Sequence, residues 1–203
     1  TSIKKYNAEF HSQSALEGIL ELRDEGAFRP EEVAKVEIEI FDVAYHIIGG
    51  GEEGDKTVVQ TKEEADHSLP YMAAVAILDG RVMPEQYSPE RIRRNDVQDL
   101  LRKVKVRPVE DYSRRFPNEM PCRVIITLQN GRVVSREKRD FEGFFTRPMS
   151  WEEVFAKFER LSAPYVETPL RRRIADAVSR LENIQVADLT RLLAAGSVKG
   201  PAA

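Results

Sequence analysis

The stretch that decides the fold is TKEEADHSLPYMAAVAILDG, residues 61–80. It opens on charged and polar residues, passes through Asp66-His67-Ser68, and is almost wholly apolar from Leu69 to Leu78. An unbroken, alanine-rich apolar run of that length reads as a helix buried on most of its faces, not as an amphipathic surface helix. Ser68 or Asp66 can cap it, and Pro70 fits only a first turn, where its missing N–H costs nothing. The pattern therefore predicts a buried helix beginning near Ser68, with its free N–H groups and positive dipole end beside a histidine and a carboxylate. Such an end suits an anion, including a substrate carboxylate. The same residues also allow a purely structural reading, in which Asp66 and Ser68 cap the helix and His67 is an ordinary polar neighbour.

Working outward, GGGEEGDKTVVQ (49–60) precedes this element as a flexible loop. Its glycines are not followed by GK[ST] and enclose two glutamates, so a phosphate loop is set aside. Before it, KVEIEIFDVAYHII (35–48) alternates Val36, Ile38 and Ile40 with charged residues and predicts a strand with one face on a core. Pro30 with Glu31 and Glu32 opens a helical turn. HSQSALEGILELRDEGAF (11–28) carries Ala15, Leu16, Ile19, Leu20 and Leu22 at helical spacing and Gly26 as a stop. IKKYNA (3–8) alternates like a short strand.

Downstream, SPERIRR and NDVQDLLRKV predict two short helices, and KVKVRPV (103–109) a strand. RVIITLQNGRVVSREKRD predicts a hairpin, with Asn130-Gly131 supplying a type I′ turn. Ser150 and Glu153 form a capping box before a helix with Val154, Phe155, Phe158 and Leu161 on one face. Two more amphipathic helices follow, and GSVKGPAA closes the chain as an expected disordered tail. A hairpin among isolated helices predicts an α+β fold: a small mixed or antiparallel sheet with packed helices over 1–148, then C-terminal helices over 149–195 and the tail over 196–203. The trailing helices carry more apolar face than a small sheet needs, so they are expected to pack on something outside this domain.

The whole chain has 203 residues, a formal net charge of -3 and 32% charged residues. That balance gives no reason to expect nucleic acid or an anionic membrane as a partner. One cysteine, Cys122, excludes an internal disulfide and a multi-cysteine metal or iron–sulfur site. No apolar run is long enough to span a bilayer and no signal-like segment opens the chain, so the expected location is the cytoplasm. The chain begins at Thr1 and enters a well-formed motif within three residues, which is expected of a piece of a longer polypeptide.

Of the three histidines, His11 precedes the first helix, His46 falls in the 35–48 strand, and His67 precedes the buried helix. None has a metal-ligand spacing, so no metal is expected, and no nucleophile elbow or Cys/His signature appears. What remains suits proton transfer next to a carboxylate. Lys4 and Lys5 can clamp a carboxylate, Tyr6 and Tyr71 offer phenols, and His11, Asp66 and His67 offer titrating groups. Each of these alone is more often structural, and a tyrosine one turn into a buried helix is usually core with its hydroxyl satisfied. From the residues, the reading stops at an α+β domain with a possible anion pocket.

At KKYNAEFHSQSALEGILELR and ADHSLPYMAAVAILDG the chain resembles the MmgE/PrpD family, in wording and in order, over most of residues 1–195. That family includes 2-methylcitrate dehydratases, cis-aconitate decarboxylases and iminodisuccinate epimerases. Its members have a large all-helical domain, a smaller α/β domain, and an active site between them. The resemblance covers only the smaller domain and the returning helices, so it implies a missing N-terminal helical domain. Lys4 matches the family lysine before an aromatic–proline pair. Tyr6 fits the aromatic position, and Asn7 replaces the proline. AEFHSQ, with His11 and Gln13, is worded as in the methylcitrate dehydratase branch, where other branches often carry a histidine at the Gln13 position. Asp66, His67, Ser68 and Tyr71 match the segment that faces substrate.

The resemblance therefore implies a cofactor-free hydro-lyase that dehydrates 2-methylcitrate to 2-methylaconitate in propionate breakdown, in a homodimer. Lys4, His67 and Tyr71 are the implied catalytic residues, and His11, Gln13, Asp66 and Ser68 the implied substrate-binding ones. As an isolated piece the chain is expected to show little turnover. A cis-aconitate decarboxylase or epimerase on the same scaffold is the alternative within enzymes. A non-catalytic domain that binds a carboxylate or a partner protein is the alternative outside them.

Overall fold

The computed structural model describes residues 1–52 and 54–196, so the stretch expected to be a disordered tail lies outside the described residues from 197 onward. Two compact units are present, Thr1–Pro148 and Met149–Ala203.

The first unit is α+β. Helix α1 (Gln13–Asp24) leads through a turn at Pro30–Glu32 into strand β1 (Val33–Ile40). A short helical turn α2 (Asp42–Ala44) runs on into a wider turn at Tyr45–Gly49. After the glycine loop come α3 (Lys62–Asp66) and α4 (Leu69–Asp79), then α5 (Pro89–Ile92) and α6 (Asn95–Leu101). Strand β2 (Val104–Pro108), helix α7 (Glu110–Arg115) and the hairpin β3 (Cys122–Leu128) and β4 (Val133–Lys138) complete it. The four strands form one mixed sheet in the order β2-β1-β3-β4, with β1 parallel to β2 and antiparallel to β3. Ile38 lies opposite Val106 on one side and Val124 on the other, in the middle of the sheet.

Helix α4 is the centre of this unit. Every residue from Leu69 to Ile77 is buried, because α1, α6, β2 and the α3 segment close around it. The Ser68 hydroxyl accepts from Tyr71 N at 3.0 Å, and Pro70 sits in the first turn, as the sequence pattern requires. At the other end Gly80 takes a left-handed φ of 68°. A side chain there would meet Arg23, whose guanidinium donates to the Ile77 carbonyl and so places a cation at the negative end of the helix.

Three local expectations are corrected. Residues 3–8 form no strand: Ile3 N donates to Gly143 O at 2.7 Å and Asn7 N to Val82 O at 3.0 Å, so the segment is tied to loops one residue at a time. The strand expected over 35–48 ends at Ile40. Beyond it the buried residues Phe41, Ala44 and Ile48 recur at helical spacing, and His46 pairs with Asp42 at 3.2 Å one turn back. The hairpin has a three-residue loop in place of a type I′ turn. Gly131 N donates to Leu128 O at 2.9 Å and Gly131 is the loop's left-handed residue, whereas Asn130 keeps a negative φ. That is a turn closed by a glycine bulge, which also suits the twist of paired strands.

The second unit contains α8 (Trp151–Ser162), α9 (Thr168–Ser179) and α10 (Val186–Ala194). Ser150 and Glu153 form the expected capping box. Phe155 and Phe158 of α8 and Ile174 and Val178 of α9 line an apolar groove of about 190 Å³. Among the described residues no helix is long and apolar enough to cross a membrane.

Candidate active site

A cleft of about 430 Å³ lies in the first unit where the N-terminal segment meets the α3–α4 joint. Lys4, Asn7, Glu9 and Phe10 line it from one side, Lys62, Asp66 and His67 from another, and Tyr87 from a third.

The N-terminal wall is an irregular segment held by its own side chains. Gln13, fully buried at the start of α1, accepts from Tyr6 N at 2.9 Å and donates to the carbonyls of Tyr6, Ala8 and Glu9 at 3.3–3.4 Å. Ser12 Oγ donates to Glu9 O at 2.6 Å. The Glu9 carboxylate accepts from His11 N and meets His11 Nδ1, each at 2.7 Å. His11 packs its ring edge-on against Phe41, 5.6 Å between centroids, and Phe41 stacks on Phe116. Neighbouring lysines diverge: Lys5 pairs with Glu142 and reaches Glu17, whereas Lys4 lines the cleft.

The opposite wall is fixed by two caps. Thr61 and Glu64 form a capping box, with Glu64 accepting from Gln60 N at 2.7 Å and Thr61 N at 2.9 Å. Those two backbone donors hold the Glu64 carboxyl below its usual range. The box sets the first turn of α3, which carries Lys62. Asp66 and His67 then occupy the joint between α3 and α4, and His67 Nδ1 lies 2.5 Å from Asp66 Oδ1. An ionised carboxylate only accepts, so in a neutral His67 the proton of this contact sits on Nδ1. The Nε2 lone pair is thereby left available as a base. The other charges on the cleft are Lys4 and Lys62, cations of the kind that binds carboxylates, and the Glu9 carboxylate, which is engaged by His11.

Of the residues singled out from the sequence, Lys4, Asp66 and His67 come together in this cleft. Gln13 and His11 stand behind its N-terminal wall. Ser68 is fully buried, donating to Lys56 O at 2.6 Å while capping α4. Tyr71 is in the core, its hydroxyl donating to Gln86 O, and burial pushes its phenol well above the usual range. Lys62, Glu9 and Tyr87 line the cleft but were not singled out. Thr61-x-x-Glu64 is a readable capping signal that would have placed Lys62 on a helix start. For Tyr87 the local sequence PEQYSPE carries no comparable signal. Among the described residues no group of three or more His, Cys, Asp or Glu side chains could hold a metal ion.

Comparison with known proteins adds the family context. Residues 6–183 match the MmgE/PrpD C-terminal domain. The chain is 26% identical to the mouse cis-aconitate decarboxylase over 176 residues, which is 86% of this chain and 34% of that protein. It is 28% identical to the human cis-aconitate decarboxylase over 142 residues, 70% of this chain and 28% of that protein. The chain thus spans about a third of the length of the curated relatives it matches. On the extent of that match, this chain belongs to the MmgE/PrpD family and carries its C-terminal domain.

Proposed function

We propose that this chain is the substrate-facing C-terminal domain of a lyase that acts on a tricarboxylate by proton transfer at a carbon next to a carboxylate. The observation that carries the reading is one cleft lined by Lys4, Lys62 and the Asp66–His67 pair. Lys4 and Lys62 take substrate carboxylates and offset the charge that builds on them as the neighbouring carbon loses its proton. His67 Nε2 takes that proton, and Asp66 holds the ring and stabilises the imidazolium that forms. Gln13, Ser68 and Tyr71 act on this reading through the frame, not through contact with substrate. The remaining cleft groups would come from a helical domain, as the family likeness implies, in a homodimer.

The finer reading is dehydration of 2-methylcitrate, supported by the AEFHSQ wording around His11 and Gln13. The proton goes to His67, its bonding pair becomes the new C=C bond, and the hydroxyl leaves as water after taking a proton from an acid on the helical domain. Decarboxylation of cis-aconitate is the second reading, supported by the names of the mouse and human relatives. There the C–C bond to a carboxylate breaks, carbon dioxide leaves, and the electron pair left on carbon takes a proton from His67 acting as acid.

The test is turnover by the full-length protein with 2-methylcitrate, citrate and cis-aconitate offered separately and products identified by mass. Water loss from 2-methylcitrate supports the first reading, and carbon dioxide from cis-aconitate the second. No reaction and no binding with any of the three would remove both.

A further inference from the structure

Residues 3–8 take no regular secondary structure, so their course is set by the contacts of individual residues. Two lysines stand side by side in this segment with different surroundings. Lys4 lines the cleft that holds Asp66 and His67, whereas Lys5 pairs with Glu142 on the 140–147 loop.

That loop is a fixed support. Glu142 N donates to the buried Glu17 carboxylate at 3.0 Å, and the Arg147 guanidinium donates to both Glu17 oxygens at 3.0 and 3.1 Å. Gly143 N donates to Arg147 O at 2.8 Å, and Arg147 also reaches Asp140 at 3.2 Å. The N-terminal segment is tied to this support on both sides of Lys4. Ile3 N donates to Gly143 O at 2.7 Å, a backbone bond that does not depend on side chains. The Lys5 ammonium donates to Glu142, lies 3.6 Å from Glu17, and stands 5.8 Å from the Tyr6 ring centroid. An isolated ion pair at a surface contributes little, but this one joins a network built on a buried carboxylate. Nothing in the Lys4-Lys5 dipeptide itself distinguishes the two ammonium groups; the acidic pair does.

We propose that Lys5 is a positioning residue: its pairing with Glu142 and Glu17 holds the segment so that Lys4, and not Lys5, presents its ammonium to a substrate carboxylate in the cleft. Lys5 itself touches no substrate. The proposal rests on the tricarboxylate reading given above, in which Lys4 binds a carboxylate.

The test measures kcat/KM and Tm for Lys5→Met, Lys5→Arg and Glu142→Gln in the full-length protein, with Lys5→Met also made in the Lys4→Ala background. Lys5→Met keeps the stem and removes the charge, and should lower kcat/KM about 5-fold to 50-fold, the range for a binding group displaced by a fraction of an ångström. Glu142→Gln keeps the N–H that Glu17 accepts and should repeat that loss. Lys5→Arg keeps the charge and should stay within about threefold of wild type. Tm should move by only a few degrees, as expected for a part-exposed pair. In the Lys4→Ala background, Lys5→Met should change kcat/KM by less than about twofold, because the residue it positions is gone. A purely structural role would give the same loss in both backgrounds, and that result would overturn the proposal. So would Lys5→Met within about twofold of wild type, or Lys5→Arg as poor as Lys5→Met. If Lys4→Ala alone stays within about threefold of wild type, or wild type consumes no tricarboxylate, the underlying reading fails and this proposal with it. A large loss for Lys4→Ala with Lys5→Met unchanged removes this proposal alone.

Discussion

The imidazole Nδ1 of His67 lies 2.5 Å from the Asp66 carboxylate, on adjacent residues at the joint between α3 and α4. Adjacent side chains within a continuous helix do not face each other. Here the helix ends at His67 and a second begins at Ser68, so both side chains reach the cleft. The contact selects the tautomer that leaves Nε2 as a base.

Asp66→Asn removes that selection while keeping the side chain's size. The expected result is a fall of about 10²-fold in kcat with KM changed by less than about threefold, because orientation and transition-state charge are lost and carboxylate binding is not. Steady-state kinetics on the full-length protein check it. An unchanged kcat would detach Asp66 from the reaction.

Gln13→Leu replaces the amide that holds the Tyr6–Glu9 segment with an apolar side chain of similar volume. It leaves Tyr6 N without its side-chain acceptor and frees three carbonyls, and should cost about 1–3 kcal/mol of stability. Because Lys4 and Glu9 flank that segment, KM should rise as well. Chemical denaturation and KM together distinguish this from a binding role, which would raise KM with stability intact.

Glu17 is a buried carboxylate with cationic partners, so it makes the fold sensitive to acid. Burial alone would raise its carboxyl, but the Lys138 ammonium, the Glu142 N–H and the Arg147 guanidinium outweigh it and hold it below its ordinary value of 4.5. A depressed carboxyl contributes stability that is complete above the unfolded value and is lost as pH falls through the folded one. Denaturation midpoints should therefore be flat with respect to this group above about pH 5 and drop below about pH 4.5. Glu17→Gln should remove most of that dependence and cost about 2–4 kcal/mol at neutral pH, because Lys138 and Arg147 lose their shared partner. A variant as stable as wild type would contradict the account.

Tyr71→Phe leaves the Gln86 carbonyl unpaired in the core. It should lower stability by about 1–2 kcal/mol, visible as a lower Tm. An unchanged Tm with lost turnover would instead put the Tyr71 hydroxyl in the reaction.

Periodicity and capping made the helices legible. The apolar run from Leu69, with Ser68 and Pro70 at its head, identifies α4 and the joint beside it without knowledge of the rest. Ser150 with Glu153 does the same for α8. Where tertiary contacts decide, the sequence is silent or misleading. Ile40 and Ile48 belong to one stretch read as a single strand, yet the chain turns between them because Val109 N takes the Ile40 carbonyl and Ser113 Oγ takes the Asp42 N–H. The site divides along the same line. Lys4, Asp66 and His67 are marked by motifs, whereas Tyr87 enters the cleft only through the anchoring of Gln86 by residues from Tyr71 to Met83. Tyr71 shows the converse: a phenol within a matched motif can still belong to the core.

On the proposed function, Lys4 and His67 handle one carboxylate and the proton beside it. The most direct measurement is kcat/KM of Lys4→Ala, His67→Ala and the double variant in the full-length protein, on whichever tricarboxylate the wild type consumes. The account predicts that each single change lowers kcat/KM at least about 10²-fold, and that the double variant loses less than the product of the two, as expected of groups acting on the same transition state. Single variants within about threefold of wild type, under roughly 1 kcal/mol of barrier, would contradict it.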